Sequence, residues 1–150
     1  QLFVLNFLEN IVYFDFFQIA FKYERNLKDN KTMLMRIENP FYKGIPDVNF
    51  LIDGNEGWIE LKYMPEYPKK DNTEVKVPHF TKEQKLWHDA RYKNKGRTMV
   101  LIQVDSDYFI FKKERINLLG SLTKKSMFKF ANKSWKNRID FKELRKELCA

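Results

Sequence analysis

Asp47, Glu60 and Lys62 are the residues whose types and spacing best suit chemistry. They stand as Pro46-Asp47, then twelve residues, then Glu60-Leu61-Lys62. Two carboxylates brought to one edge hold a hard divalent cation such as Mg²⁺, which prefers oxygen ligands. Such a cation stabilises charge on a phosphoryl oxygen and lowers the pKa of water. A lysine two residues after Glu60 projects from the same strand face. It can orient an attacking water and offset charge developing at phosphorus. The peptide carbonyl of Leu61 is a further candidate oxygen ligand.

The elements that must position these residues read as a hairpin. Val48, Phe50 and Ile52 alternate within 47–53, the period of a half-buried strand. Asp53-Gly54-Asn55-Glu56-Gly57 has the residues of a turn. The spacing predicts a return strand over 58–64. There Ile59, Leu61 and Tyr63 share one face, and Trp58, Glu60 and Lys62 share the other. This hairpin brings Glu60 back towards Asp47. A plainer reading of the same residues is a turn proline and a surface Glu/Lys pair.

Gly44-Ile45-Pro46-Asp47, Trp58-Ile59-Glu60-Leu61-Lys62 and a later Thr81-x-x-Gln84 helix resemble the PD-(D/E)XK nuclease superfamily. Within it, the chain is most similar to small phage-type and VRR-NUC-like endonucleases, over about residues 36–104. The resemblance implies a restriction-endonuclease-like fold and metal-dependent phosphodiester hydrolysis with Mg²⁺, or alternatively Mn²⁺. It assigns Asp47 and Glu60 to the metal and Lys62 to the water, and brings Gln84 to the active-site edge. It also raises Glu24 as a third acid on a first helix, against the plainer reading of a solvated glutamate.

The 150 residues suit one domain with a sizeable core. Net charge is +8, and 43% of residues are apolar, which excludes global disorder. Residues 112–150 carry twelve Lys/Arg against four Asp/Glu, whereas residues 1–20 carry Glu9 and Asp15 and no base. A basic balance favours a polyanionic partner, here nucleic acid and foremost DNA. Cys149 is the single cysteine. That excludes an intrachain disulfide and fits a reducing, cytoplasmic setting, with the resemblance adding a phage or mobile-element origin. With only His79 and His88 besides, a self-contained zinc site is excluded. No glycine-rich phosphate loop is present, which argues against an NTPase.

Residues 1–21 are apolar and aromatic. They lack a basic leader region, and polar residues interrupt them, so neither a signal peptide nor a membrane span fits. A buried or partner-facing helix is expected, followed by a polar loop to Lys31. A strand over 33–38 ends at Asn39-Pro40, with Arg36 placed to flank the site or to pair with Glu38. Residues 64–72, rich in proline and polar groups, form a loop after the site. Lys69, Lys70 and Lys76 are candidates for phosphate contact there, and Tyr67 for base stacking. An ordinary solvated loop fits equally.

Thr81 and Gln84 form a capping box opening a helix over 81–94, with Gly96 suited to the left-handed position after it. The cap alone accounts for Gln84, so its two roles stand side by side. His88 and Trp87 read as packing residues. Residues 98–104 form a continuous apolar strand, as inside a sheet covered on both faces, and 108–111 form the next. From 112 to 137 the chain is basic and weakly periodic. Lys124, Lys125 and Lys129, interleaved with Phe128, Phe130 and Trp135, suit a nucleic-acid surface. They equally suit a solvated face over core aromatics. Residues 141–148 form a terminal helix capped by Asp140.

The expected fold is therefore α/β, one domain with a central mixed sheet of four to five strands flanked by helices. A right-handed crossover joins the strands at 58–64 and 98–104. The expected function is metal-dependent cleavage of DNA, without a membrane and with homodimerisation open. A non-catalytic nucleic-acid-binding protein on the same fold is the main rival. A structural or membrane-associated protein, suggested only by residues 1–21, is a third.

Overall fold

The Asp53-Gly54 turn sets the register of the sheet. The computed structural model describes residues 32–37 and 39–150. Both turn residues have positive φ, 50° and 78°, the geometry that lets a two-residue loop match the twist of paired strands. It joins β2 (Val48–Ile52) to β3 (Asn55–Met64), with Ile52 opposite Asn55 and Val48 opposite Ile59. The turn is thus shorter than expected, and β3 starts at Asn55 rather than Trp58. Gly57 belongs to the strand for a packing reason, because a Cβ there would lie 2.3 Å from the Phe50 ring.

The sheet has six strands in sequence order. β1 (Thr32–Arg36) pairs antiparallel with β2. β3 runs parallel to β4 (Thr98–Val104), reached through α1 (Lys82–Lys93). β5 (Asp107–Lys112) and β6 (Lys133–Lys136) complete it antiparallel. Between them lie a 3₁₀ helix (Lys113–Leu118) and α2 (Lys124–Phe130), and α3 (Phe141–Cys149) follows. The α/β class and mixed sheet are as expected, with one strand more than the upper expectation. The addition is β6, whose Lys-Ser-Trp-Lys carries a single apolar residue and so no readable period. The expectations for 1–31, Glu24 included, and for Glu38 fall outside the described residues.

Two apolar layers hold the sheet. Val48, Phe50, Ile52, Ile59, Leu61, Met99 and Leu101 point to one face, where Leu144 and Leu148 of α3 cover them. Val100, Ile102, Val104, Phe109 and Phe111 point to the other, under Ile116, Leu119, Leu122 and Met127. β4 is therefore apolar throughout because both its faces are covered. Trp135 is buried in the first layer and Phe128 packs edge-on against Phe109 in the second. Both are core aromatics. Among the described residues, no helix is long and apolar enough to cross a membrane.

The end of α1 departs from expectation. Lys95, not Gly96, takes the left-handed conformation, φ 62°. Its N–H bonds Tyr92 O, and the Gly96 N–H bonds Arg91 O, the paired bonds of a Schellman ending. Gly96 is needed for space, since a Cβ would meet the Arg91 side chain at 2.3 Å.

Candidate active site

Extending the β2–β3 register one residue past Val48 and Ile59 sets Asp47 opposite Glu60. Both point to the sheet face that carries Val100 and Ile102, the register partners of Glu60 and Lys62. Asp47 Oδ2 accepts the Leu61 N–H at 2.8 Å. The Asp47 carbonyl accepts the Ile37 N–H at 2.8 Å on the β1 side, while its side chain reaches the β3 edge. The carbonyl of a strand residue lies on the same edge as its N–H, which leaves the Leu61 carbonyl beside Asp47.

Glu60 and Lys62 lie in the middle of the sheet and are 1% and 8% exposed. Glu60 Oε1 accepts from Lys62 Nζ at 2.8 Å and from Gln84 Nε2 at 2.6 Å. Its other oxygen, Oε2, is buried and meets no N–H donor. The neighbouring carboxyl is Asp47, and the two carboxyls share a hydrogen bond when Glu60 is protonated. Burial pushes the Glu60 carboxyl up to about 8; Asp47 adds to the rise and Lys62 opposes it. Lys62 Nζ also donates to the His79 carbonyl at 2.9 Å. An ammonium has three N–H groups, so these two contacts leave one.

Gln84 unites its two expected roles. Its Oε1 accepts the Thr81 N–H at 3.0 Å, and its N–H donates to Thr81 Oγ1 at 3.2 Å. With Oε1 committed to the cap, Nε2 is the end that reaches Glu60. The box thereby fixes the amide's orientation as well as the start of α1.

Gly44 docks the loop bearing Asp47 onto that same first turn. Its φ is +89°, and a Cβ there would stand 2.7 Å from Glu83 O. This role was carried by the Gly-Ile-Pro-Asp stretch but not read from it. The His79 contact was hidden for a different reason, since a main-chain carbonyl leaves no trace in residue type. His88 is buried as packing requires, with Nδ1 2.5 Å from Thr98 Oγ1. Desolvation, aided by the nearby Lys62 charge, lowers its pKa to about 4, so the ring is neutral at pH 7.

The remaining candidates are not gathered with this cluster. Arg36 ends β1 opposite Val48, one register step from Asp47. Lys69 and Lys70 are exposed on the loop after β3. Lys76 pairs with Glu74 at 2.5 Å and donates to Gly120 O. Lys124 lies 4.2 Å over the Tyr67 ring, and Lys129 5.4 Å from the Phe130 ring. Lys125 is exposed. Tyr67 is not an open stacking platform, because its hydroxyl donates to Asp107 at 2.6 Å while its ring meets Lys124.

No family model and no curated protein matches this chain. The site therefore has to be judged by its donors. Among the described residues, no group of three or more His, Cys, Asp or Glu forms a metal cluster. Asp47, Glu60 and the Leu61 carbonyl nevertheless fit a hard divalent cation. They are all oxygen donors, and a cation would replace the proton shared by Glu60 and Asp47 and offset the charge of the paired carboxyls.

Proposed function

We propose that this chain is a metal-dependent nuclease that hydrolyses phosphodiester bonds, with DNA as the substrate and Mg²⁺ or Mn²⁺ as the cation. The observation that carries the reading is the buried Glu60 carboxyl facing Asp47, with Lys62 and Gln84 fixed on its Oε1. Two carboxyls pressed together in a buried site cannot both carry charge unless a cation joins them, and otherwise they hold a proton between them.

In this reading Asp47, Glu60 and the Leu61 carbonyl hold the cation. When bound, the cation supplies positive charge at the scissile phosphate and acidifies water. Lys62 stands on the same strand face and directs its remaining N–H towards the reacting oxygens. Gln84 locks the Glu60 rotamer, so the carboxylate does not have to reorganise during the reaction. Phe80 and the 65–80 loop lie against Lys62 and keep water from its flank. The exposed Lys69, Lys70 and Lys125 offer positive charge for a polyanionic strand.

The test is cleavage of end-labelled DNA and RNA of several structures by wild type and by Asp47→Asn. The wild type should cleave in Mg²⁺ and the folded variant should not. Equal cleavage by both, or none by wild type, contradicts the assignment. The absence of a three-acid cluster among the described residues favours a second reading, a nucleic-acid-binding protein without cleavage. In that case the wild type binds the same DNA but leaves it intact.

A further inference from the structure

A cleft of about 340 Å³ opens at the start of β4, between the end of α1, the end of β5 and Ala150, the residue after α3. Lys95, Arg97, Lys112 and Lys113 line it, together with Tyr92 and Met99, and no aspartate or glutamate does. It is distinct from the carboxylate cluster. Met99, the sheet partner of Lys112, points to one face of the sheet, whereas Val100 and Ile102, the partners of Glu60 and Lys62, point to the other.

The plain explanation of these cations is that they neutralise the helix C-termini around them. Two of them do so. Lys112 Nζ bonds the Glu147 carboxylate at 2.8 Å and its carbonyl at 3.2 Å, and Arg97 donates to Cys149 O at 3.4 Å. That leaves Lys95 and Lys113, which have no side-chain partner among the described residues. It also leaves Arg97 Nε, which is buried without an acceptor. A buried guanidinium N–H without an acceptor is costly. Glu147 offsets Lys112, and Glu114 lies against Tyr92, so Lys95, Lys113 and the Arg97 Nε are the positive groups left for an anion.

We propose that this cleft binds a phosphate monoester. Its dianion matches the two unpaired lysines, and a guanidinium beside ammonium groups is well suited to phosphate oxygens. The cleft is larger than the phosphate alone, and Tyr92 and Met99 give it an apolar wall for the group carrying it. That group is either a free nucleoside or the terminus of a nucleic-acid strand. The proposal does not depend on cleavage at Asp47 and Glu60.

The experiment measures equilibrium binding to the full chain in EDTA, which keeps the carboxylate site out of the comparison. The probes are AMP against adenosine, and a short oligothymidylate with a 5′-phosphate against the same strand with a 5′-hydroxyl. The phosphate should tighten binding about tenfold on at least one pair, about one charge-assisted contact's difference. Lys95→Gln/Lys113→Gln should abolish that gain, and Asp47→Asn should retain it. Both lysines are exposed, so the double variant should fold, which its melting curve checks. A gain confined to AMP identifies a free nucleotide, and one confined to the oligonucleotide identifies a strand end; each supports the site. Equal binding with and without phosphate overturns the proposal, as does a double variant that keeps the full gain.

Discussion

Gln84 uses the two ends of one amide for two purposes, and substitutions can separate them. Thr81→Ala removes the cap but leaves Gln84 Nε2 its bond to Glu60. It should cost about 1 kcal/mol of stability with little change in cleavage. Gln84→Ala keeps that cap, which the backbone N–H of residue 84 makes, but removes the amide's bonds to Thr81 N–H and Glu60; it should lower stability by a similar amount and slow cleavage by about tenfold or more. Melting and single-turnover rates of the two variants check this, and equal cleavage by both would leave the cap as the only role. His88 gives a pH prediction at the same scale. Its folded pKa, about 4, lies below the usual 6.5. Between those values the unfolded chain binds a proton that the folded chain excludes. Stability should therefore fall as pH drops through that window, by up to about 3 kcal/mol. Urea midpoints across the window should show a smaller fall for His88→Gln than for wild type.

At the scale of elements, the site exists because β2 begins one residue after Asp47 and because a helix start is pressed against the loop before it. Gly44 is the contact between them. Gly44→Ala places a Cβ against Glu83 O in a backbone conformation that L-residues rarely adopt. It should cost about 1–3 kcal/mol, a fall in melting temperature of roughly 2–4 °C per kcal/mol. It should also lower cleavage at temperatures where the variant is fully folded, because Asp47 and Gln84 move apart. A stable Gly44→Ala protein with full activity would show that this docking does not position the site. The hairpin, β4, β5 and the capping box were legible because alternation, continuous apolar runs and Thr-x-x-Gln have direct physical causes. β6 was not, since Trp135 alone faces the core and its flanking lysines resemble a loop. The left-handed residue after α1 was misplaced on Gly96, because a glycine kept for space looks the same in sequence as one kept for φ.

For the whole molecule, the uneven charge was legible but its use was not. Lys124, Lys129, Lys76 and Lys112 each meet a ring, a carboxylate or a carbonyl of the protein itself. Count alone cannot distinguish such structural cations from those left for a ligand. In the same way, Asp47, Glu60 and Lys62 were legible as a cluster, whereas the burial of Glu60 against Asp47 required the fold. The central claim is that this cluster takes a metal for cleavage and not only for binding. The most direct measurement is binding and nicking of one DNA by wild type and Asp47→Ala in EDTA, Ca²⁺ and Mg²⁺. Ca²⁺ has longer and looser coordination than Mg²⁺, so it should offset the carboxylates and aid binding while positioning water poorly. The expected result is weak binding in EDTA, tighter binding without nicking in Ca²⁺, and nicking in Mg²⁺, with Asp47→Ala losing the metal enhancement and the nicking. Equal binding in all three conditions with intact DNA in Mg²⁺ would contradict it.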